Sequence, residues 1–164
     1  MRTARNMRTA RSGPGFRNCL LASGLIAAVL TPCIAAAALG ETETSVQTDA
    51  AQLQGSVKTL ERSIYRLHEI QLPSGTKLRE FVGPDAKIFA VAWNGPAVPN
   101  LRQTFGRYFD TFVAAAKVAR TGHNRLDIRQ GDLVVQSSGH MRAFTGRAYL
   151  PQAIPAGVAL GELR

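Results

Sequence analysis

His68 and Glu80 are the first residues whose types and placement suggest chemistry. They flank Pro73-Ser74-Gly75, read as a three-residue hairpin loop that sets Leu72 opposite Thr76. The register then pairs Ile70 with Leu78, Glu69 with Arg79, His68 with Glu80, and Leu67 with Phe81. A shift of one residue would set Glu69 against Glu80, so charge supports the first register. A carboxylate beside a partly buried imidazole orients the ring and fixes one tautomer, which is how a general base is prepared for a hydrolase or isomerase. The same two letters also describe a satisfied polar pair at the rim of a core. No nucleophile elbow or oxyanion hole accompanies them.

A second set is His140 and Arg142 with Arg147 and Tyr149, spaced by Gly139 and Gly146. Two guanidinium forks, an imidazole and a phenol can clasp a carboxylate, phosphate or sugar. A hairpin turn with solvated charges explains the same residues. Metal ligation has little support, because His68, His123 and His140 are scattered and no acidic loop preorganises a site. No cofactor is expected. Lys117, Arg120, His123, Arg125 and Arg129 form a basic stretch that complements the C-terminal end of a helix dipole. It lacks the interleaved aromatics of a nucleic-acid surface, so no nucleic-acid partner is expected.

These residues need elements to hold them. Val46, Ala50, Leu53, Val57, Leu60, Ile64 and Leu67 follow a 4-3-4-3-4-3 spacing, which predicts a heptad-patterned helix over 46–67. That stripe either packs on the domain's own sheet or forms a dimer seam, and Gly55 with Ser56 weakens the seam. Residues 65–72 also read as a strand, placing the change near Ile64. Gly83-Pro84-Asp85 turns the chain into Ile88-Phe89-Ala90-Val91-Ala92-Trp93, an unbroken apolar run expected at the centre of a sheet. Asn100 caps a second helix whose face carries Leu101, Phe105, Tyr108, Phe109, Phe112, Val113 and Ala116. Short strands are expected over 126–130, 133–137 and 141–150, with a turn at Ser137-Ser138-Gly139 and an irregular tail from Pro151. The order predicts an α+β fold with a mostly antiparallel meander sheet.

The first 38 residues read as an address. Arg2, Arg5, Arg8, Arg11 and Arg17 precede an almost uncharged run over 19–38 that ends in four alanines. That is the layout of a cleaved signal peptide, favoured over a retained anchor by Pro32 and the small residues. Met1-Arg2-Thr3-Ala4-Arg5 recurs as Met7-Arg8-Thr9-Ala10-Arg11, so Met7 is an alternative start. The expected domains are therefore a signal peptide, 1–38, and one exported domain, 39–164. Without those five arginines, 15 of the 20 basic residues remain against 11 acidic ones, so the net charge falls from +9 to +4. Both cysteines, Cys19 and Cys33, leave too, which excludes disulfides and thiolate chemistry from the mature chain.

The segments around His68-Glu69-Ile70-Gln71-Leu72-Pro73-Ser74-Gly75, Phe89-Ala90-Val91-Ala92-Trp93-Asn94-Gly95-Pro96 and Ser138-Gly139-His140-Met141-Arg142-Ala143-Phe144-Thr145-Gly146-Arg147-Ala148-Tyr149-Leu150-Pro151 resemble a family of small exported proteobacterial proteins, common in Burkholderia-like bacteria and catalogued only as a domain of unknown function. Lys87 stands where the resemblance implies glycine in the second turn. The resemblance implies export and a single domain, and it brings no activity. The leading expectation is a monomeric periplasmic or secreted domain, non-catalytic and free of the membrane after cleavage, that binds a partner protein or an anionic envelope component. The alternatives are an enzyme using His68 with Glu80 and an assembly module built on the 46–67 helix.

Overall fold

The computed structural model describes residues 39–119 and 124–164. The signal-peptide expectation for 1–38 and His123 lie outside the described residues. Helix α1 (Ser45–Gln52) precedes β1 (Ser56–Glu61), β2 (Arg66–Gln71), β3 (Lys77–Val82) and β4 (Ile88–Gly95). Helices α2 (Leu101–Phe105) and α3 (Phe109–Val118), linked by a 3₁₀ turn, lead to β5 (Arg125–Gln130), β6 (Leu133–His140) and β7 (Ala143–Tyr149). The strands form one sheet in the order β1-β2-β3-β4-β7-β6-β5, with every pair antiparallel. Two meanders thus meet at β4, whose run from Ile88 to Trp93 is buried on both faces, as its unbroken apolar sequence requires.

The heptad helix over 46–67 does not form. Helix α1 stops at Gln52, and Gln54 takes the left-handed conformation (φ 53°). The Gly55 N–H then bonds to the Ala50 carbonyl at 2.8 Å and the Gln54 N–H to that of Ala51, closing the helix with a Schellman pattern. A side chain at Gly55 could not follow, since a Cβ there would lie 2.6 Å from Ile70 Cγ2. Beyond it the period becomes two, so the three-residue step from Val57 to Leu60 sends the two side chains to opposite faces. The residues that suggested a dimer seam are divided between two cores, and Ile64 is left 38% exposed.

One face of the sheet is covered by the helices. Trp93, Phe105 and Phe112 stack there, with ring centroids 6.0 and 5.0 Å apart in sequence. Asn100 caps α2 as expected, its side chain accepting from the Gln103 N–H, and Gly106 (φ 47°) breaks the second helix into α2 and α3. The other face carries Leu67, Phe81, Phe89 and Tyr149, and the C-terminal tail lays Ile154, Val158 and Leu163 across them. The tail is irregular apart from two 3₁₀ turns, Pro151–Ala153 and Leu160–Glu162.

Two turns also differ from expectation. Ser137-Ser138-Gly139 continues β6, and the reversal comes at Met141-Arg142, both left-handed (φ 44° and 66°), as a two-residue hairpin requires. After Gly83-Pro84-Asp85 the left-handed position is Ala86 (φ 58°), not Lys87.

Candidate functional site

The hairpin register places His68 opposite Glu80, with Leu67–Phe81, Glu69–Arg79 and Ile70–Leu78 alongside, as the turn predicts. The two side chains nevertheless do not form a dyad. His68 Nδ1 lies 2.9 Å from Thr59 Oγ1 on β1, and Nε2 lies 2.9 Å from Glu43 Oε1. Glu43 arrives from the segment before α1, which is pinned by its N–H to the Ala86 carbonyl, and also pairs with Arg66 at 2.8 Å. An imidazole has two ring nitrogens, and both are taken. Because an ionised carboxylate only accepts, Nε2 carries the proton toward Glu43, and in the neutral ring Nδ1 accepts from Thr59.

Glu80 turns instead toward Asp49 of α1, and each is 1% exposed. Burial, then the Asp49 charge, push the Glu80 carboxyl up to about 8, so it holds a proton at neutral pH. Gln103 braces this pocket from α2, donating to Asp49 Oδ1 at 3.3 Å and to Gln52 Oε1 at 3.1 Å. Asp49 is the fifth residue of α1, and nothing in its local sequence marks it as a neighbour of Glu80. His68 is 4% exposed, and neither it, Glu80 nor Asp49 lines any of the three principal clefts among the described residues.

The second set divides as well. Tyr149 is a core residue at 5% exposure, and Arg147 lies over its ring at 5.8 Å. Arg147 is gripped on its other side: Nε and Nη2 donate to Gln136 Oε1 at 2.9 and 2.7 Å, and Nη1 donates to the Leu160 carbonyl of the tail. His140 and Arg142 sit at the exposed β6–β7 hairpin end. His140 pairs with Ala143, four residues from Arg147, or about 13 Å along the strand. His68 and Glu80 face the helices while His140 and Arg147 face the tail, so the four do not share one cleft.

The tail-covered face does hold a concave site that the sequence reading missed. A cleft of about 290 Å³ is lined by Arg125, Gln136, Ser138, Thr145, Arg147 and Arg164, with no acidic side chain among its lining residues. A second, of about 620 Å³, runs between the β1–β2 loop and the tail over Tyr65, Leu67, Phe81 and Arg79, and shares Arg164. Arg125 was legible only as part of a basic stretch. Its alternation with Leu126 along β5 is the signal that aims it at this face. No group of three or more His, Cys, Asp or Glu residues able to hold a metal occurs among the described residues.

No curated protein and no solved structure gives a significant match to the chain. The resemblance carried by the β2–β3, β4 and β6–β7 segments has a counterpart in a family model that spans residues 35–163, nearly the whole of the sheet, helices and tail just described. On that match the chain belongs to the family described as protein of unknown function (DUF2844).

Proposed function

We propose that the protein is an exported binding domain that holds an anionic group of an envelope component in the cleft between Arg125, Arg147 and Arg164. The observation that carries this reading is the lining itself: three guanidinium groups with Ser138 and Thr145 hydroxyls and no acidic side chain. The forks of Arg125 and Arg164 match planar carboxylates and phosphates, Arg147, whose fork is taken by Gln136, adds its charge, and the hydroxyls supply further hydrogen bonds. Arg147 is held rigid by Gln136, Leu160 and the Tyr149 ring, which lowers the entropy lost on binding. Arg125 is exposed and available. The enzyme reading has less support, since His68 and Glu80 are both buried and each is turned to other partners.

Export rests on the leader alone. Intact mass of protein from a periplasmic extract should correspond to a chain beginning near Leu39. A membrane-bound form retaining 1–38 would contradict export by cleavage. For the cleft, calorimetric titration with digalacturonate, an acidic disaccharide, should show binding that Arg125→Ala with Arg164→Ala reduces about tenfold or more. Unchanged affinity in that double variant would remove the cleft from the mechanism.

A further inference from the structure

The cleft is one end of a larger polar surface. The tail covers only part of its face of the sheet, and beyond it the six pairing registers line up one side chain from every strand. That row runs from Ser56 on β1 through Gln71, Lys77, Asn94, Thr145 and Ser138 to Arg125 on β5. Every member is exposed and none is apolar. Six interstrand steps make it about 28 Å wide. The neighbouring row adds Lys58, Arg79 and Arg147, and its two carboxylates are Glu69 and Asp127. Its one apolar member, Ala92, is 1% exposed.

We infer that this open half of the face is a track for a linear anionic polysaccharide, with the arginine cleft as one of its subsites; the inference rests on the cleft reading above. Three features favour that occupant. The cations Lys58, Lys77, Arg79, Arg147 and Arg125 are spread over the full width, so a small anion meets one or two of them while an extended chain meets all five. Between them stand amides and hydroxyls, which match sugar hydroxyls. A protein partner would want a buried aromatic or aliphatic anchor, and the two rows offer none. A nucleic acid would want aromatic platforms for its bases, which the rows also lack. Glu69 tempers the field at one end by pairing with Arg79 at 3.0 Å and Lys77 at 3.6 Å.

The test is a length series of oligogalacturonates against the full mature chain, with Lys77→Ala as the variant. Lys77 lies outside the cleft lining, and its side chain is 47% exposed. A long oligomer should bind at least about tenfold more tightly than the disaccharide, as added subsites act through effective concentration. Lys77→Ala should weaken the long oligomer about threefold to tenfold and leave the disaccharide unchanged, with the thermal midpoint confirming an intact fold. If the disaccharide binds but length and Lys77→Ala have no effect, the track is wrong and the cleft stands. If neither ligand binds, both readings fall. Equal or tighter binding of neutral dextran, of single-stranded DNA or of phosphatidylglycerol vesicles would also overturn the polysaccharide assignment.

Discussion

Both faces of one sheet carry ionisable side chains in cross-strand register, yet the helix-covered face closes them in pairs while the tail-covered face leaves them open. Under the helices, His68 is matched by Thr59 and Glu43, and Glu80 keeps its proton beside Asp49. Under the tail, Arg79 and Arg147 are held at their edges but still border clefts. The difference lies in the cover. Three helices bury the rows around Trp93 and Val91, whereas a tail of two 3₁₀ turns reaches only the Phe81, Phe89 and Tyr149 side. Sequence chemistry therefore becomes available where the covering chain runs out, not where the most suggestive residues stand.

The largest expected effect tests the helical cover. Phe105 is fully buried between Trp93 and Phe112. Phe105→Ala should cost about 3–5 kcal/mol of folding stability, measured by urea denaturation. A cost below about 1 kcal/mol would mean that the aromatic stack is not what closes this face.

The next effect is a pH dependence centred on Glu80. Its folded pKa, about 8, lies above the ordinary 4.5, so between those values the native state holds a proton that the unfolded state has released. Stability from this group is therefore full below about 4.5, falls by about 1.4 kcal/mol per pH unit at most as pH rises, and levels off above about 8. The Asp49 charge on α1 acts on it, and His68 stands opposite it on the neighbouring strand. Denaturation of Glu80→Gln across that window should be flatter than that of the wild type. Parallel slopes in the two proteins would show that Glu80 ionises freely.

The contrast between faces also explains what the sequence could reveal. The 73–75 turn and the charges of Glu69, Arg79 and Glu80 determine a local register, and that register appears in the fold. The apolar run of β4 marks its central place for the same reason of locality. The 4-3 spacing from Val46 to Leu67 misled because two short strands with residues on both faces can imitate a helical stripe. Only the left-handed closure at Gln54 and the crowding of Gly55 by Ile70 decide between them, and the second is a tertiary contact. Likewise, Glu43 becomes the partner of His68 through chain crossing, which no local pattern encodes. The Arg125–Arg147–Arg164 cleft joins an edge strand, an inner strand and the tail, so it exists only once the sheet is assembled.

A smaller effect concerns the tail. Arg147 holds the Leu160 carbonyl with one nitrogen and Gln136 with two others. Arg147→Lys keeps the charge and loses the fork, and should cost about 1 kcal/mol. Limited proteolysis should then cut within 151–164 faster than in the wild type. Unaltered cleavage would indicate that Leu163 and its apolar neighbours hold the tail unaided.

The smallest effect compares one chemical change on the two faces. Thr59 and Thr145 are both exposed strand residues, but Thr59 Oγ1 serves the buried His68 Nδ1, whereas Thr145 borders the open cleft. Valine keeps the β-branch and removes only the hydroxyl, so strand propensity and shape change little. Thr59→Val leaves a buried ring nitrogen without its partner, and should cost about 1 kcal/mol more than Thr145→Val. Thr145→Val should stay within about 0.5 kcal/mol of the wild type, because water satisfies what the hydroxyl leaves behind. Its effect should appear instead as weaker digalacturonate binding. Equal stability losses in the two variants would erase the distinction between a face that uses its polar groups internally and one that offers them to a ligand.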